Sequence, residues 1–296
     1  MKLLFPIATR GNYAKTRELI RYSRSQGSHV DTLVFGSCVS PLGNLLQEID
    51  SDIGVNFSIP FPCSKPQHVH LEICKSLYSE LPSIISISTY DYIVLVGDRY
   101  ELLPLASIAQ LLNLRIAHIE GGERSGSIDE SIRHSISKLA HAHCVSNLNS
   151  FNYLHSVLGE VKERICIVGS PNFDWIRREL SMYVSKSLVT LLDHTPFDLQ
   201  SPYILLVAHP SNYSSLSYPE YIQLLVSCLR QRTQYRILII SPNLDADSLS
   251  YLNLNLDLTN TFFSESLSQL DYARLLKGSL FAIGNSSSLV REAPFL

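Results

Sequence analysis

Short apolar runs alternate with longer amphipathic runs along this chain of 296 residues. The short runs are typical of strands, and "DYIVLVGD" (91–98) is so apolar that both its faces must be buried, which favours a parallel sheet. In the first part of the chain, the pattern predicts strands over 2–8, 29–36, 91–98, 115–122, 141–147 and 164–171. It predicts helices over 12–27, 64–88, 100–113, 127–140 and 151–159. Such β/α alternation indicates an open, doubly wound sheet.

A second cycle of the same kind begins at "PYILLVAHP". It comprises strands over 202–210, 235–243 and 279–288, and helices over 218–231 and near 266–277. We therefore predict an α/β fold of two Rossmann-like domains facing a cleft: a domain over 1–172, a helix and linker over 173–201, and a domain over 202–296. About three strands make a smaller second sheet than the usual five or six, so the second domain is expected to be truncated.

Composition limits the classes of function. With 45% hydrophobic and 17% charged residues, the chain is typical of a soluble globular protein with a substantial core. The net charge of -3 gives no reason to expect nucleic acid or an anionic membrane as a partner. No apolar run approaches the roughly 18 residues of a membrane helix. The first residues lack the apolar core of a signal peptide, so a cytoplasmic protein is expected.

No metal or other cofactor is predicted. The six cysteines lie far apart, without a CxxC pair or a His/Cys cluster at metal-binding spacing. The HxH patterns at 68–70 and 141–143 fall on a predicted helix and a predicted buried strand. Neither arrangement favours a metal site, because side chains at i and i+2 of a helix do not face each other.

Acidic residues follow two of the predicted strands. In open α/β sheets, ligands bind beyond the carboxyl ends of the strands. Asp98 ends the strand 91–98, where capping the next helix is an alternative role. Glu120 follows the next strand, in "AHIEGGERSGSIDESIRH". Its neighbours Gly121 and Gly122 let the backbone approach a ligand closely or adopt positive φ.

The same stretch contains "SIDE", which fits a capping box formed by Ser127 and Glu130. A capping box accounts for those two residues but not for Glu120 or Asp129. Asp129 is also favoured in a first helical turn by the helix dipole. Carboxylates that converge on one cleft suggest acid/base chemistry, and a solvated loop is the alternative.

Two features of the second half suit a phosphate. "GNSSS" (284–288) follows a predicted strand, and N–H groups and hydroxyls at a helix N-terminus suit a diphosphate. An ordinary serine-rich cap is the alternative. The motif lacks the lysine of a P-loop, which argues against an NTPase. His209 also follows a strand, where it fits a substrate contact or a structural role.

Six segments in chain order resemble the UDP-N-acetylglucosamine 2-epimerase family, and within it the hydrolysing branch of the sialic-acid and legionaminic-acid pathways. The segments are "TRGNYAKTREL", "VGDRYELL", "AHIEGGERSGSIDESIRHSISKLAHAHCVS", "VGSPNFD", "AHP" and "GNSSSLVREAP". The resemblance implies a glycosyltransferase-B-like fold with a UDP-sugar in the cleft, held through UDP mainly by the second domain. It also implies a homo-oligomer, a dimer or tetramer, and a reaction without a metal.

The resemblance implies a reaction in two stages. UDP leaves C1 of the sugar as the C2 proton is removed, and water then adds to give the free sugar with inverted C2. By position, the family's catalytic acids correspond to Asp98, Glu120 and Asp129. Contacts to the UDP-sugar correspond to Arg10, His209, Ser286, Ser287 and Glu292. Glu120 and Asp129 are the residues expected to move protons, with their order left open.

Three departures from the family pattern stand out. Gly11-Asn12 replaces the usual Ala-Asp, Leu289 replaces a usual glycine and could crowd the diphosphate turn, and members usually continue well beyond "REAP". The alternatives are therefore a non-hydrolysing 2-epimerase and a truncated, inactive protein that binds a UDP-sugar or a partner. "HIEGGERSGSIDE" and "AHP" favour the hydrolysing branch. UDP-N-acetylglucosamine and a UDP-2,4-diacetamido-6-deoxy sugar both stay open as substrates.

Overall fold

The chain divides into two compact units, Met1–Asn172 and Phe173–Leu296. The computed structural model describes residues 1–39, 46, 49–60, 69–87, 89–182, 188–190, 196–209, 216–240, 260–264 and 267–296. Each unit has its own parallel sheet with helices packed against it. The predicted α/β class is confirmed.

A seven-stranded parallel sheet forms the centre of the first unit. Its strands are β1 (Lys2–Ile7), β2 (His29–Val34), β3 (Phe57–Ser58), β4 (Tyr92–Val96), β5 (Arg115–Ile119), β6 (Ala142–Val145) and β7 (Ile165–Ile167). Their order across the sheet is β3-β2-β1-β4-β5-β6-β7. Six of these strands were predicted. The seventh, β3, has only 2 residues, which is too short to show a hydrophobic pattern.

Five α-helices in the described part of the first unit follow its strands. They are α1 (Arg10–Ser25), α2 (Val69–Ile87), α3 (Leu102–Leu111), α4 (Ile128–Leu139) and α5 (Leu148–Asn152). All five were predicted, although α5 continues as a π-helical turn over Tyr153–Val157. Pro104 lies in the first turn of α3, where a helix tolerates its missing N–H. Parts of the predicted helix 64–88 lie outside the described residues.

The first sheet is covered on both faces, as the apolar run 91–98 predicted. Ile93 and Leu95 pack with Leu77 of α2 on one face. Val94 and Val96 pack with residues of α1 on the other. The four strand residues are each 6% exposed or less. Because β4 is central and buried on both faces, the positions just beyond its end are held rigidly.

The second unit is built on a four-stranded parallel sheet of order β12-β11-β10-β13. The helix α6 (Pro171–Met182) leads into it. The remaining elements are β8 (Leu188–Thr190), β9 (Pro196–Asp198), β10 (Tyr203–Val207), α7 (Tyr218–Arg230), β11 (Arg236–Ile240), β12 (Thr261–Ser264), α8 (Gln269–Gly278), β13 (Phe281–Gly284) and α9 (Ser288–Arg291).

Two features of this unit were not predicted from the sequence. The expected sheet had about three strands, and β12, a run of 4 residues, was missed. Part of the segment predicted as linker forms an antiparallel pair of strands, β8 and β9. Phe197 of β9 is 1% exposed, with its ring 5.0 Å from that of Tyr203. A single buried aromatic residue between polar residues gives no periodicity from which a strand can be predicted.

Among the described residues, no helix is long and apolar enough to cross a membrane.

We predict that Gly284→Ala strongly destabilises the second unit. Gly284 has φ 149°, and a Cβ there would lie under 3.0 Å from the carbonyl of Val207 on the neighbouring strand. The free energy of unfolding should fall by roughly 2–4 kcal/mol, measured by urea denaturation. Gly11→Ala is the control, because a Cβ there meets Thr9 Oγ1 at an ordinary 3.7 Å and lies within a helix. An equal, small effect of both substitutions would contradict the prediction.

Candidate active site

Asp98 and Glu120 lie at the same edge of the first sheet. β4 and β5 are neighbours, with Val96 opposite Ile119 in the register. Glu120 directly follows β5, and Asp98 follows β4 after one intervening residue. Asp98 and Glu120, which were selected because they follow strand ends, therefore lie side by side in the fold.

Glu120 has an unusual backbone. Its φ is 62°, in the left-handed region that residues with a side chain rarely adopt. Its N–H donates to the carbonyl of Cys144 at 2.9 Å, which fixes it to the end of β6. The residue is only 2% exposed. Strained residues of this kind cost about 1–3 kcal/mol and cluster at functional sites.

Both oxygens of the Glu120 carboxylate accept a hydrogen bond. Lys15 Nζ, from α1, lies 2.5 Å from Oε2. Ser170 Oγ, beyond the end of β7, donates to Oε1 at 2.6 Å. A buried carboxylate needs such partners, because desolvation otherwise disfavours its charged form. Neither Lys15 nor Ser170 was predicted from the sequence as a site residue, although both lie in segments that resemble the family.

Asp98 pairs with a buried arginine. Arg133 of α4 is 2% exposed, and its Nη2 donates to Asp98 Oδ2. Its Nη1 donates to the carbonyl of Glu123 at 2.6 Å. The alternative role of Asp98 as a helix cap is wrong, because α3 begins at Leu102 with Glu101 as its N-cap. Arg133 is a further site residue that the sequence analysis did not single out.

Asp129 lies in the first turn of α4 and is exposed. Ser127 Oγ donates to its Oδ2 at 3.2 Å. Asp129 and Arg133 are four residues apart in a helix, so they share one helical face. The structure thus places Asp129 on the face of α4 that carries the partner of Asp98. Asp129 stays exposed, unlike the buried carboxylate of Glu120.

The predicted capping box at "SIDE" is wrong. Ser127 is the N-cap of α4, but its side chain makes no capping hydrogen bond. The Glu130 carboxylate instead accepts the N–H groups of Ser125 at 2.6 Å and Gly126 at 2.7 Å. The N–H groups of Gly126 and Ser125 hold the pKa of Glu130 below its ordinary value. Glu130 therefore fixes the loop between β5 and α4.

The glycine pair after Glu120 allows α4 and α5 to pack closely against this part of the backbone. Gly122 has φ 76°, and a Cβ there would lie under 3.0 Å from the carbonyl of Ser150. A Cβ at Gly121 would lie 2.9 Å from Ser137 Oγ. The positive φ expected for this pair is confirmed at Gly122. The space expected for a ligand is taken up by α4 and α5.

A buried histidine connects the strand ends to α4. His118 of β5 is fully buried, with Nε2 2.8 Å from the carbonyl of Gly97 and Nδ1 3.0 Å from Ser137 Oγ. A carbonyl only accepts, so Nε2 carries the proton and Nδ1 accepts from Ser137. Burial lowers the pKa of His118 to about 4. The ring is therefore neutral at pH 7 and joins the two strand ends that carry the acids.

The first loop also reaches this edge of the sheet. α1 begins at Arg10, whose side chain lies outside the described part of the structure. Asn12 is 5% exposed and donates through Nδ2 to the carbonyl of Val96 at 2.9 Å. A carboxylate could not donate this hydrogen bond. Asn12 thus ties α1 to the end of β4.

In the second unit, the structure brings His209 and the serine-rich turn together. The N–H of His209 donates to Asn285 Oδ1 at 2.7 Å, and Asn285 Nδ2 donates to the carbonyl of His209 at 2.9 Å. These residues follow the neighbouring strands β10 and β13. Residues 210–215, which follow His209, lie outside the described part.

The serine-rich turn is ordered by hydroxyl contacts. Ser286 Oγ lies 2.8 Å from Ser288 Oγ, which also contacts the hydroxyl of Tyr272. Burial raises the pKa of Tyr272 to about 12, so the phenol stays protonated. Ser287 is exposed and Glu292 is half-buried. Tyr272 was not predicted from the sequence as a site residue, because the helical pattern of this segment indicates only that it belongs to α8.

The size of Leu289 suggested that it could crowd the serine-rich turn, but its side chain is directed elsewhere. Its side chain packs against the core of the second unit. The helix α9 that follows the serines has only 4 residues, which makes it a weak dipole for a diphosphate. The hydroxyl and N–H groups of the turn are therefore the candidate groups for an anion at this position.

Within the described ranges, no three His, Cys, Asp or Glu side chains group as a metal site. The site of the first unit instead contains the carboxylates of Asp98 and Glu120 at neighbouring strand ends, each hydrogen-bonded to a basic side chain. This arrangement, in a doubly wound α/β fold, defines a candidate for acid/base catalysis on a bound ligand.

Comparisons with known proteins identify the family. The family model described as UDP-N-acetylglucosamine 2-epimerase matches residues 33–296. The UDP-N,N'-diacetylbacillosamine 2-epimerase (hydrolyzing) of Legionella pneumophila is 30% identical over 301 residues, which cover 99% of this chain and 78% of that protein. The UDP-N-acetylglucosamine 2-epimerase of Neisseria meningitidis is 34% identical over 206 residues, which cover 69% of this chain and 53% of that protein.

A solved structure with a similar fold is the Neisseria meningitidis UDP-GlcNAc 2-epimerase bound to UDP-GlcNAc. Its TM-score is 0.81 at 18% sequence identity, covering 99% of this chain and 80% of that chain. This likeness confirms the predicted fold class. With the family match over most of its length, the chain belongs to the UDP-N-acetylglucosamine 2-epimerase family.

We predict that acid destabilises this protein in part through His118. Its folded pKa of about 4 lies below the ordinary 6.5, so the unfolded state alone takes up this proton between those values. Stability should therefore fall by about 2 kcal/mol from pH 7 to pH 5 on account of this one residue.

The measurement is urea denaturation of the unaltered chain and His118→Gln at both pH values. Glutamine can still donate to Gly97 but does not titrate. The loss between pH 7 and pH 5 should be smaller by about 2 kcal/mol in the variant. Burial also lowers the pKa of His134, His141 and His143, and these contributions stay in both proteins. Equal losses would contradict the prediction.

Proposed function

We propose that this chain is a hydrolysing UDP-sugar 2-epimerase of the nonulosonic acid pathways. It eliminates UDP from UDP-N-acetylglucosamine or a 2,4-diacetamido-6-deoxy analogue, which leaves a 2-acetamidoglucal. Water then adds, and the free sugar is released with inverted C2. The main support is the buried Glu120 carboxylate with Asp98 at the neighbouring strand end.

The chemistry explains why carboxylates are needed. The C2 proton is not acidic, so cleavage of the C1–O bond must lead and create positive charge at C1. A carboxylate stabilises that charge, and an acid/base pair removes the C2 proton and returns one from the other face. UDP leaves as a stable anion, helped by N–H and hydroxyl groups beside its diphosphate.

The geometry of the acids suggests a division of roles. Asp98 accepts a hydrogen bond from the buried guanidinium of Arg133, which favours its charged form and suits it to stabilise charge at C1. Glu120 and Asp129 are then the groups that move protons. Asp129 is exposed to solvent, whereas Glu120 is buried.

The proposed UDP contacts are Arg10, His209, Ser286, Ser287 and Glu292. Hydroxyls and N–H groups of the serine-rich turn suit the diphosphate. The double hydrogen bond between His209 and Asn285 places the histidine beside that turn. A homo-oligomer and a cytoplasmic location stay predictions.

The names of the two relatives support two substrates. The Legionella relative is named for a diacetylated amino sugar and for hydrolysis. The Neisseria relative is named for UDP-N-acetylglucosamine. Both sugars carry an acetamido group at C2 and differ at C4 and C6, so the same proton chemistry applies to each.

The decisive experiment is a proton NMR time course in D2O with the chain and each UDP-sugar. We expect UDP and a free sugar that carries deuterium at inverted C2. A non-hydrolysing 2-epimerase would instead give the epimeric UDP-sugar without net release of UDP. If a folded sample releases no UDP from either substrate, the proposed function is wrong for this chain.

Glu120→Gln should slow formation of the free C2-inverted sugar by roughly 100-fold or more, because an amide cannot take up or return the proton. Binding of UDP, measured by calorimetry, should stay unchanged. Glu163→Gln is the matched control, since the Glu163 side chain is 67% exposed in a surface turn. Full activity of the Glu120 variant would contradict the role of Glu120.

A further inference from the structure

Ser170 is a neutral partner of Glu120 that comes from a distant part of the chain. Its Oγ donates to Oε1 at 2.6 Å. Glu120 follows β5, and Ser170 lies three residues beyond β7, so the hydrogen bond crosses the end of β6 between them. The contact is thus a tertiary one, made only when the strands have assembled in this order.

Lys15 holds the other oxygen from the opposite side of β5. It belongs to α1, which follows β1, and its Nζ lies 2.5 Å from Oε2. The positive φ at Glu120 sets the direction of its Cα–Cβ bond. Rotation of the terminal carboxylate is broad and nearly free in the absence of partners. With one donor on each oxygen, the plane of the carboxylate is fixed.

The two donors differ in what they can do during a proton transfer. An ammonium group donates only, whereas a hydroxyl donates to a carboxylate and also accepts from a carboxylic acid after rotating. Ser170 therefore stays hydrogen-bonded at Oε1 whether Glu120 is charged or protonated. Lys15 favours the charged form alone, so it cannot replace this function.

We propose that Ser170 is a positioning residue that holds the Glu120 carboxylate in the orientation required for proton transfer at C2. This inference rests on the proposed function. If Glu120 takes the proton, the C2–H bond breaks, an O–H bond forms on the carboxylate, and the C–H electron pair forms the C1=C2 bond as the C1–O pair leaves with UDP. If it returns the proton, the O–H bond breaks, the C1=C2 electron pair forms the new C2–H bond, and water bonds to C1 and loses a proton to the solvent. Both need an oriented oxygen.

The test compares Ser170→Thr with Ser170→Val, two variants of nearly equal shape that differ in the hydroxyl. Ser170→Ala removes the hydroxyl without adding volume. We expect kcat to fall roughly 10-fold or more in the Val and Ala variants, because an unoriented acid/base group loses much of its effect. The Thr variant should stay within about 3-fold of the unaltered chain, since its hydroxyl is retained. KM and UDP affinity should not change in any variant.

A second readout separates orientation from a general structural effect. If Glu120 removes the C2 proton, the kinetic isotope effect with substrate deuterated at C2 should increase in the Val and Ala variants, because cleavage of the C2–H bond becomes slower relative to the other steps. If Glu120 returns the proton, the solvent isotope effect in D2O should increase in those variants instead. Neither isotope effect should change in the Thr variant. Ser135→Ala is the control, since Ser135 is exposed on α4 and its hydroxyl donates to the carbonyl of Ser131 in its own helix. Thermal unfolding of each variant verifies the fold.

The outcomes are distinct. If Val and Ala variants match the unaltered chain in kcat and isotope effect, the role of Ser170 is overturned while the proposed function stands. If Thr loses as much activity as Val, volume and not the hydroxyl is responsible, and the role is overturned again. If the unaltered chain releases no UDP from either substrate, the proposed function is overturned and the role of Ser170 with it.

Discussion

Burial of the Glu120 carboxylate imposes the constraint on which the organisation of the first unit depends. A charged carboxylate removed from water is stable only if it is paired and hydrogen-bonded, and the penalty without partners amounts to several kcal/mol. Lys15 and Ser170 supply those partners from opposite sides of β5. Two remote segments therefore have to be placed correctly before this one side chain can be buried. The buried guanidinium of Arg133 depends in the same way on the carboxylate of Asp98.

The fold could be predicted from the sequence where the hydrophobic pattern was strong. The apolar run that forms β4 revealed a buried parallel strand, whereas β3 and β12, with 2 and 4 residues, are too short to produce a period. The candidate acids Asp98 and Glu120 could be found because ligand-binding residues follow strand ends. Their location could be derived without knowing which strands are neighbours.

The partners of those acids could not be derived in this way. Lys15 and Glu120 are 105 residues apart, and Ser170 and Glu120 are 50 apart. Such pairs depend on the strand order, which a single sequence does not reveal. Local motifs were also misleading, since the letters of "SIDE" fit a capping box but Glu130 binds the preceding loop. The positive φ of Gly126 gives that loop a path that the motif does not encode.

The amide of Asn285 joins β10 to β13 through one accepted and one donated hydrogen bond with the backbone of His209. Hydrolysis of this side-chain amide during storage, with release of ammonia, would turn the residue into aspartate. A carboxylate can still accept the N–H, but its second oxygen would face the carbonyl of His209, where two acceptors repel. A single spontaneous chemical change, without any mutation, would thus loosen the strand ends beside the serine-rich turn. Intact-mass measurement can follow this change in Asn285 as a preparation ages.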